Sequence, residues 1–160
     1  MTTTPLTTEP PTSRSARVFR AAVIAQPVWR AGVVAAVAGA ITTEVFATVA
    51  RGAGVPLKAA SPGADAAAAI PPLGFAFGVL FWSVVGIVLA VLLARFAKRP
   101  ARTFAVTTVA MTVLSLAPPF MAPHTALSTQ IVLALSHVVA AAVIIPALTV
   151  RLTHRRPTAS

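Results

Sequence analysis

Two side chains combine proton chemistry with an apolar setting: Glu44, the one acid inside a long hydrophobic run, and His137, the one histidine inside another. A charged group near mid-bilayer costs at least about 2.5 to 3.5 kcal/mol on insertion scales, so Glu44 must be protonated, paired or hydrated. Imidazole titrates near neutrality and can share a proton with a carboxylate. If the Glu44 helix runs outward to Arg51, Glu44 lies seven residues, roughly 10 Å, from its outer end. If the His137 helix runs inward from Thr129, His137 lies eight residues, roughly 12 Å, below the same surface. The depths match, and the sequence predicts a candidate intramembrane polar pair, Glu44 and His137. Three outcomes stay open for it: a structural hydrogen bond, no direct contact, or a proton-coupled or ligand-binding role.

Other reactive chemistry is scarce. Asp and Glu total 3 against 13 Lys and Arg, and there is no Cys. Disulfides, thiolate nucleophiles, cysteine zinc sites and carboxylate cages for hard cations are thereby excluded. Asp65 and His124 fall in loops, where a solvated side chain is the default. Ser83, Ser115, Ser128 and Ser136 lack a GxSxG elbow, and Gly52 and Gly54 lack the Lys-Ser/Thr pair of a phosphate loop. A membrane enzyme assembled from Asp65, His124, Glu44 and His137 has no recognised spacing behind it. No catalytic residue, cofactor or metal is expected.

The elements that must position these residues follow from composition. Hydrophobic residues make up 57% of the 160 and charged ones 10%, against roughly 25% charged in an ordinary soluble domain. Apolar runs of about 18 or more residues read as membrane-spanning helices, so the fold class is all-α, an integral membrane four-helix bundle. Spans are predicted at about 31–50, 73–94, 103–118 and 129–150, with an external first loop of roughly 22 residues and a short second one. Pro118-Pro119 should end or kink the third, and Pro146 frees the carbonyl of Ala142 in the fourth. Trp82, mid-way along the second, reads as a packing residue. Residues 1–16, rich in Thr and Pro, read as a disordered cytoplasmic tail, 17–30 as a basic interfacial segment closed by Trp29 and Arg30, and 151–160 as a basic tail. The first apolar run is long for a cleaved signal sequence, so it is read as an uncleaved helix. Membrane strands are excluded because the runs do not alternate.

The net charge of +10 raises nucleic-acid binding, and its distribution answers differently. Eleven of the thirteen bases flank one side of the spans: Arg14, Arg17, Arg20, Arg30, Arg95, Lys98, Arg99, Arg102, Arg151, Arg155 and Arg156. Only Arg51 and Lys58 flank the other. That asymmetry predicts a cell-membrane protein with both termini cytoplasmic, its bases facing anionic lipid and not nucleic acid.

Lipid provides little hydrophobic drive between helices, so small residues and hydroxyls at helical spacing mark the faces expected to pack. These are Gly32, Ala36 and Ala40 in the first span, Gly74, Gly78 and Gly86 in the second, and Thr108, Thr112 and Ser115 in the third. The fourth offers Gln130, Ala134, His137 and Ala141.

The segments Ala50-Arg51-Gly52-Ala53-Gly54-Val55, Leu114-Ser115-Leu116-Ala117-Pro118 and Leu135-Ser136-His137-Val138-Val139-Ala140 carry a resemblance. From about Arg30 to Val150 the chain resembles a family of small actinobacterial four-helix membrane proteins catalogued as a domain of unknown function. Abundant Ala and a preference for Arg over Lys fit a high-GC source. The resemblance implies fold and location and assigns no catalytic residue. The functional expectation is a non-enzymatic multi-pass protein acting through helix packing with itself or a membrane partner. The alternative is a small proton-linked transporter or permeation unit organised around Glu44 and His137.

Overall fold

The computed structural model describes residues 26–60 and 63–154. The readings for the N-terminal tail, for Arg14, Arg17 and Arg20, and for Arg155 and Arg156 lie outside these residues. In chain order the elements are α1 (Val28–Gly52), β1 (Lys58–Ala59), β2 (Ala68–Ala69), α2 (Gly74–Phe96), α3 (Pro100–Ser115), α4 (Ala117–Met121) and α5 (Leu127–Thr153). Four stretches are long and apolar enough to cross a membrane: α1, α2, α3 with α4, and α5. The third reaches Met121, further than the sequence suggests, because the proline pair breaks the helix without ending the helical path. Pro118 and Pro119 have no N–H to offer the carbonyls of Leu114 and Ser115. The chain therefore tightens at Leu116, whose N–H reaches the Val113 carbonyl at 3.2 Å, and restarts as α4 with proline in a first turn where no donor is needed. Pro146 leaves α5 unbroken.

Helix α1 packs on α2 and α5, while α3 packs mainly on α5 and occupies the corner opposite α1. Two glycines set the close approaches. A Cβ on Gly32 would stand 2.7 Å from Ile87 Cγ1 of α2, and one on Gly39 would stand 2.9 Å from Ile144 Cδ1 of α5. These contacts fix the antiparallel registers. Ala36 and Ala40 are buried along the same side of α1. The stripe expected in α2 behaves differently: among the described residues nothing lies within 4 Å of a Cβ built on Gly78 or Gly86, and Gly74 abuts Ile70 of the preceding loop. The α2 residues that face inward are Phe75, Ser83 and Ala90. In α3 the hydroxyls of Thr108, Thr112 and Ser115 donate to the carbonyls of Phe104, Thr108 and Thr112 in their own helix. A hydroxyl in an apolar setting is satisfied by its own preceding turn, which leaves it nothing to give a neighbouring helix.

The two ends are built differently. At the basic end, where Arg30, Arg95, Lys98, Arg99, Arg102 and Arg151 lie along the chain, Ala90, Phe104, Leu148 and Leu152 form a buried cluster. The Arg30 guanidinium lies 5.1 Å from the Trp29 ring centre, and Arg95 lies 5.8 Å from that of Phe96. Arg151 is buried, its Nε donating to the Gln26 carbonyl and Nη1 to that of His154 at 3.1 Å. It therefore ties the end of α5 to the entry of α1. At the opposite end, Gly54 at φ 87° turns the chain out of α1, with the Val55 N–H bonded back to the Ala50 carbonyl. The first loop then folds into an antiparallel β1–β2 ribbon pairing Lys58 with Ala69, and Leu57 joins a cluster of Ala47, Ala50, Phe75 and Val132. The Ala60 N–H donates to Thr125 Oγ1 and so joins this ribbon end to the α4–α5 loop.

Candidate functional site

The α1–α2 register decides the height of Glu44. Gly32 faces Ile87 and Gly39 approaches Val79 at 3.7 Å, so Glu44, twelve residues beyond Gly32, stands level with Phe75, twelve before Ile87. The acid therefore lies beside the first turn of α2 and not at the middle of the span. Helix α2 begins after Pro71-Pro72-Leu73 with no side-chain cap of its own, and Leu73 sits at φ 66°. The first amides of a helix have no partner within it and carry its positive dipole end. Glu44 supplies what is missing. Its Oε1 accepts the Leu73 N–H at 3.0 Å and its Oε2 the Ala76 N–H at 3.1 Å. One carboxylate thus caps α2 from a neighbouring helix and fastens the two together.

His137 meets a different fate. The Gly39–Ile144 contact places it level with Phe46, two residues or about 3 Å from the height of Glu44, so the depth comparison holds. Its direction does not. His137 is exposed, with Nδ1 2.8 Å from the Leu133 carbonyl one turn earlier in α5, and no hydrogen bond or ion pair joins it to Glu44. Glu44 points along the α2 side of α1, where the α2 amides engage both its oxygens, whereas α5 turns Ala134 and Ser136 inward at this level. The expected polar pair is therefore not formed.

Around Glu44 an apolar groove of about 450 Å³ runs between α1 and α2, lined among others by Val37, Ile41, Thr48, Leu73, Ala76 and Leu80. It opens on the outside of the bundle, since Ile41, Val45, Val49 and Leu73 are all exposed. Its volume is in the range of small-molecule sites. Glu44 is its one ionisable residue. Asp65 and His124 are exposed in their loops, and among the described residues no group of three or more His, Cys, Asp or Glu can hold a metal ion. Trp82 is 69% exposed, with its ring edge-on to Phe81 at 5.5 Å, so it does not pack inside as the sequence suggests. The sequence holds one signal for the capping role: no Ser, Thr, Asp or Asn occurs in Ile70-Pro71-Pro72-Leu73, so the cap has to come from elsewhere.

Residues 23–154 match the model of a family of unknown function, DUF6069. No curated protein and no solved structure matches the chain.

Proposed function

The chain belongs to this family of unknown function, and we propose that it is a non-enzymatic multi-pass membrane protein that acts by packing α2 against a second copy or a membrane partner. The observation that carries the reading is the outer face of α2. Gly78 and Gly86 have open space where a Cβ would stand, and Phe77, Phe81 and Trp82 project beside them. Small notches flanked by large side chains are what close helix packing in lipid uses, and among the described residues nothing fills these notches. The bases of the described residues support both termini in the cytoplasm of a cell-membrane protein: six fall at one end of the spans, Arg51 and Lys58 at the other.

The test is the oligomeric state in nanodiscs, together with recovery from mild detergent. Wild type is expected as a dimer or with a stoichiometric partner, and Gly78→Leu with Gly86→Leu as a lone, folded monomer. A wild-type monomer that recovers no partner would sink the proposal. A reporter active only in the cytoplasm, fused to the C-terminus, tests the orientation; a silent, well-expressed fusion would reverse it. The proton-linked alternative needs Glu44 and His137 to share a proton, and the engagement of Glu44 with the α2 amides favours the packing reading over it.

A further inference from the structure

We propose that the groove between α1 and α2 is a binding site for a long-chain primary amine, with its ammonium on the Glu44 carboxylate and its alkyl chain along the groove. Charge is the first reason. A helix N-terminus is equivalent to about half a positive charge, so capping α2 leaves roughly half of the Glu44 charge uncompensated. Among the described residues no basic side chain forms an ion pair with Glu44. Arg51 stands seven residues further along α1, roughly 10 Å away along the axis, and Lys58 is exposed in the β-ribbon.

Hydrogen-bonding capacity is the second. Each carboxylate oxygen can accept about two hydrogen bonds, and Glu44 uses one on each. A primary ammonium brings three donors to the two remaining acceptors, whereas a quaternary ammonium brings none.

Shape and orientation are the third. From Glu44, level with the first turn of α2, the groove extends past Ile41 to Val37 and Leu80, about two turns or roughly 10 Å toward the middle of the span. Charge at the end of a span with an apolar track leading inward is the arrangement a membrane amphiphile adopts in one leaflet. The lateral opening faces the lipid from which such a molecule would enter. A phospholipid fits less well, because its phosphate would meet the carboxylate in a groove that holds no basic side chain. A second copy of the chain fits less well too, since among the described residues its Lys and Arg lie at or beyond the ends of the spans and not on the apolar faces between them. The inference is independent of self-association, which concerns the outer face of α2.

The probe is dodecylamine, titrated calorimetrically into the full chain in phosphatidylcholine nanodiscs, with dodecanol and dodecyltrimethylammonium as controls. The amine is expected to bind saturably and at least about tenfold more tightly than either control, the worth of one charge-assisted hydrogen bond. Glu44→Gln is expected to lose at least about tenfold in affinity. Ile41→Trp, which fills the groove from its exposed side and leaves the cap in place, is expected to lose binding with helix content unchanged, and so guards against misfolding of the first variant. Equal binding of dodecanol, wild-type affinity in both variants, or loss of amine binding when phosphatidylethanolamine replaces the nanodisc lipid would each overturn the assignment.

Discussion

Replacing Glu44 by alanine removes two acceptors at once, and their settings differ enough for the cost to be worked bond by bond. The Ala76 amide is partly buried between α1 and α2, so its charge-assisted bond should contribute about 1.5 to 3 kcal/mol. The Leu73 amide lies on an exposed residue at the end of the helix, where it can recover a partner from the headgroup layer, and about 0.5 to 1.5 kcal/mol is the fitting range. Together the loss should be about 2 to 4.5 kcal/mol. Glu44→Gln keeps one acceptor oxygen and no charge, so it should fall near half of that. Reversible unfolding in mixed micelles, followed by far-ultraviolet circular dichroism, measures the difference. Hydrogen exchange locates it: the Leu73 and Ala76 amides should lose protection first, while those in the middle of α2 stay protected. If Glu44→Ala costs less than about 0.5 kcal/mol, the spread of unremarkable surface substitutions, and exchange at the two amides is unchanged, the capping argument fails.

Other substitutions test the remaining ties. Gly32→Val should cost about 1 to 3 kcal/mol through the clash with Ile87, and Ile87→Ala in the same chain should restore part of the loss in the same unfolding assay. Thr43 is buried with no partner for its hydroxyl, so Thr43→Val should raise stability by about 1 kcal/mol, and a clear loss would reveal an acceptor it reaches. Arg151→Met gives up the bonds to the Gln26 and His154 carbonyls and should cost about 1 to 2 kcal/mol, with faster proteolysis at the entry of α1 as the local readout. His137→Leu should leave stability within about 0.5 kcal/mol of wild type, because the ring is exposed and bonds only to its own helix.

What the sequence discloses is axial, and what it conceals is azimuthal. Counting residues from Arg51 and Thr129 brings Glu44 and His137 to within a turn of the same height, as the contacts of Gly39 with Ile144 and Gly32 with Ile87 bear out. Helix ends are legible for the same reason, since charges, prolines and the Gly52-Ala53-Gly54 turn mark positions along an axis. The direction a side chain takes around its helix depends on which neighbours pack and at what angle, and an all-round apolar helix such as α2 carries no polar face to announce it. That is why Gly78 and Gly86 read like Gly32 in sequence and yet meet open space. Hydroxyl stripes mislead in a related way, since Thr108, Thr112 and Ser115 have carbonyls of their own helix within reach.

The interactions gather on α1. Its start is held by Arg151, its middle by the close approaches of Gly32 and Gly39, and its far end by the carboxylate that caps α2. Interhelical hydrogen bonds and close backbone contact are the main sources of helix association available in lipid, and α1 takes part in both kinds. Among the described residues helix α3 makes no side-chain hydrogen bond to another helix: it packs on α5, buries Pro100 and Phe104 at the basic end, and turns its hydroxyls back on itself. The placement of Glu44 follows from this division. An acid at the α2 N-cap itself would accept from the Ala76 amide but not from its own N–H and would reach no other helix, whereas the carboxylate on α1 accepts from both amides and holds α1 and α2 in register. The cost of an acid in this chain is offset because one group does both, with each of its oxygens accepting one amide.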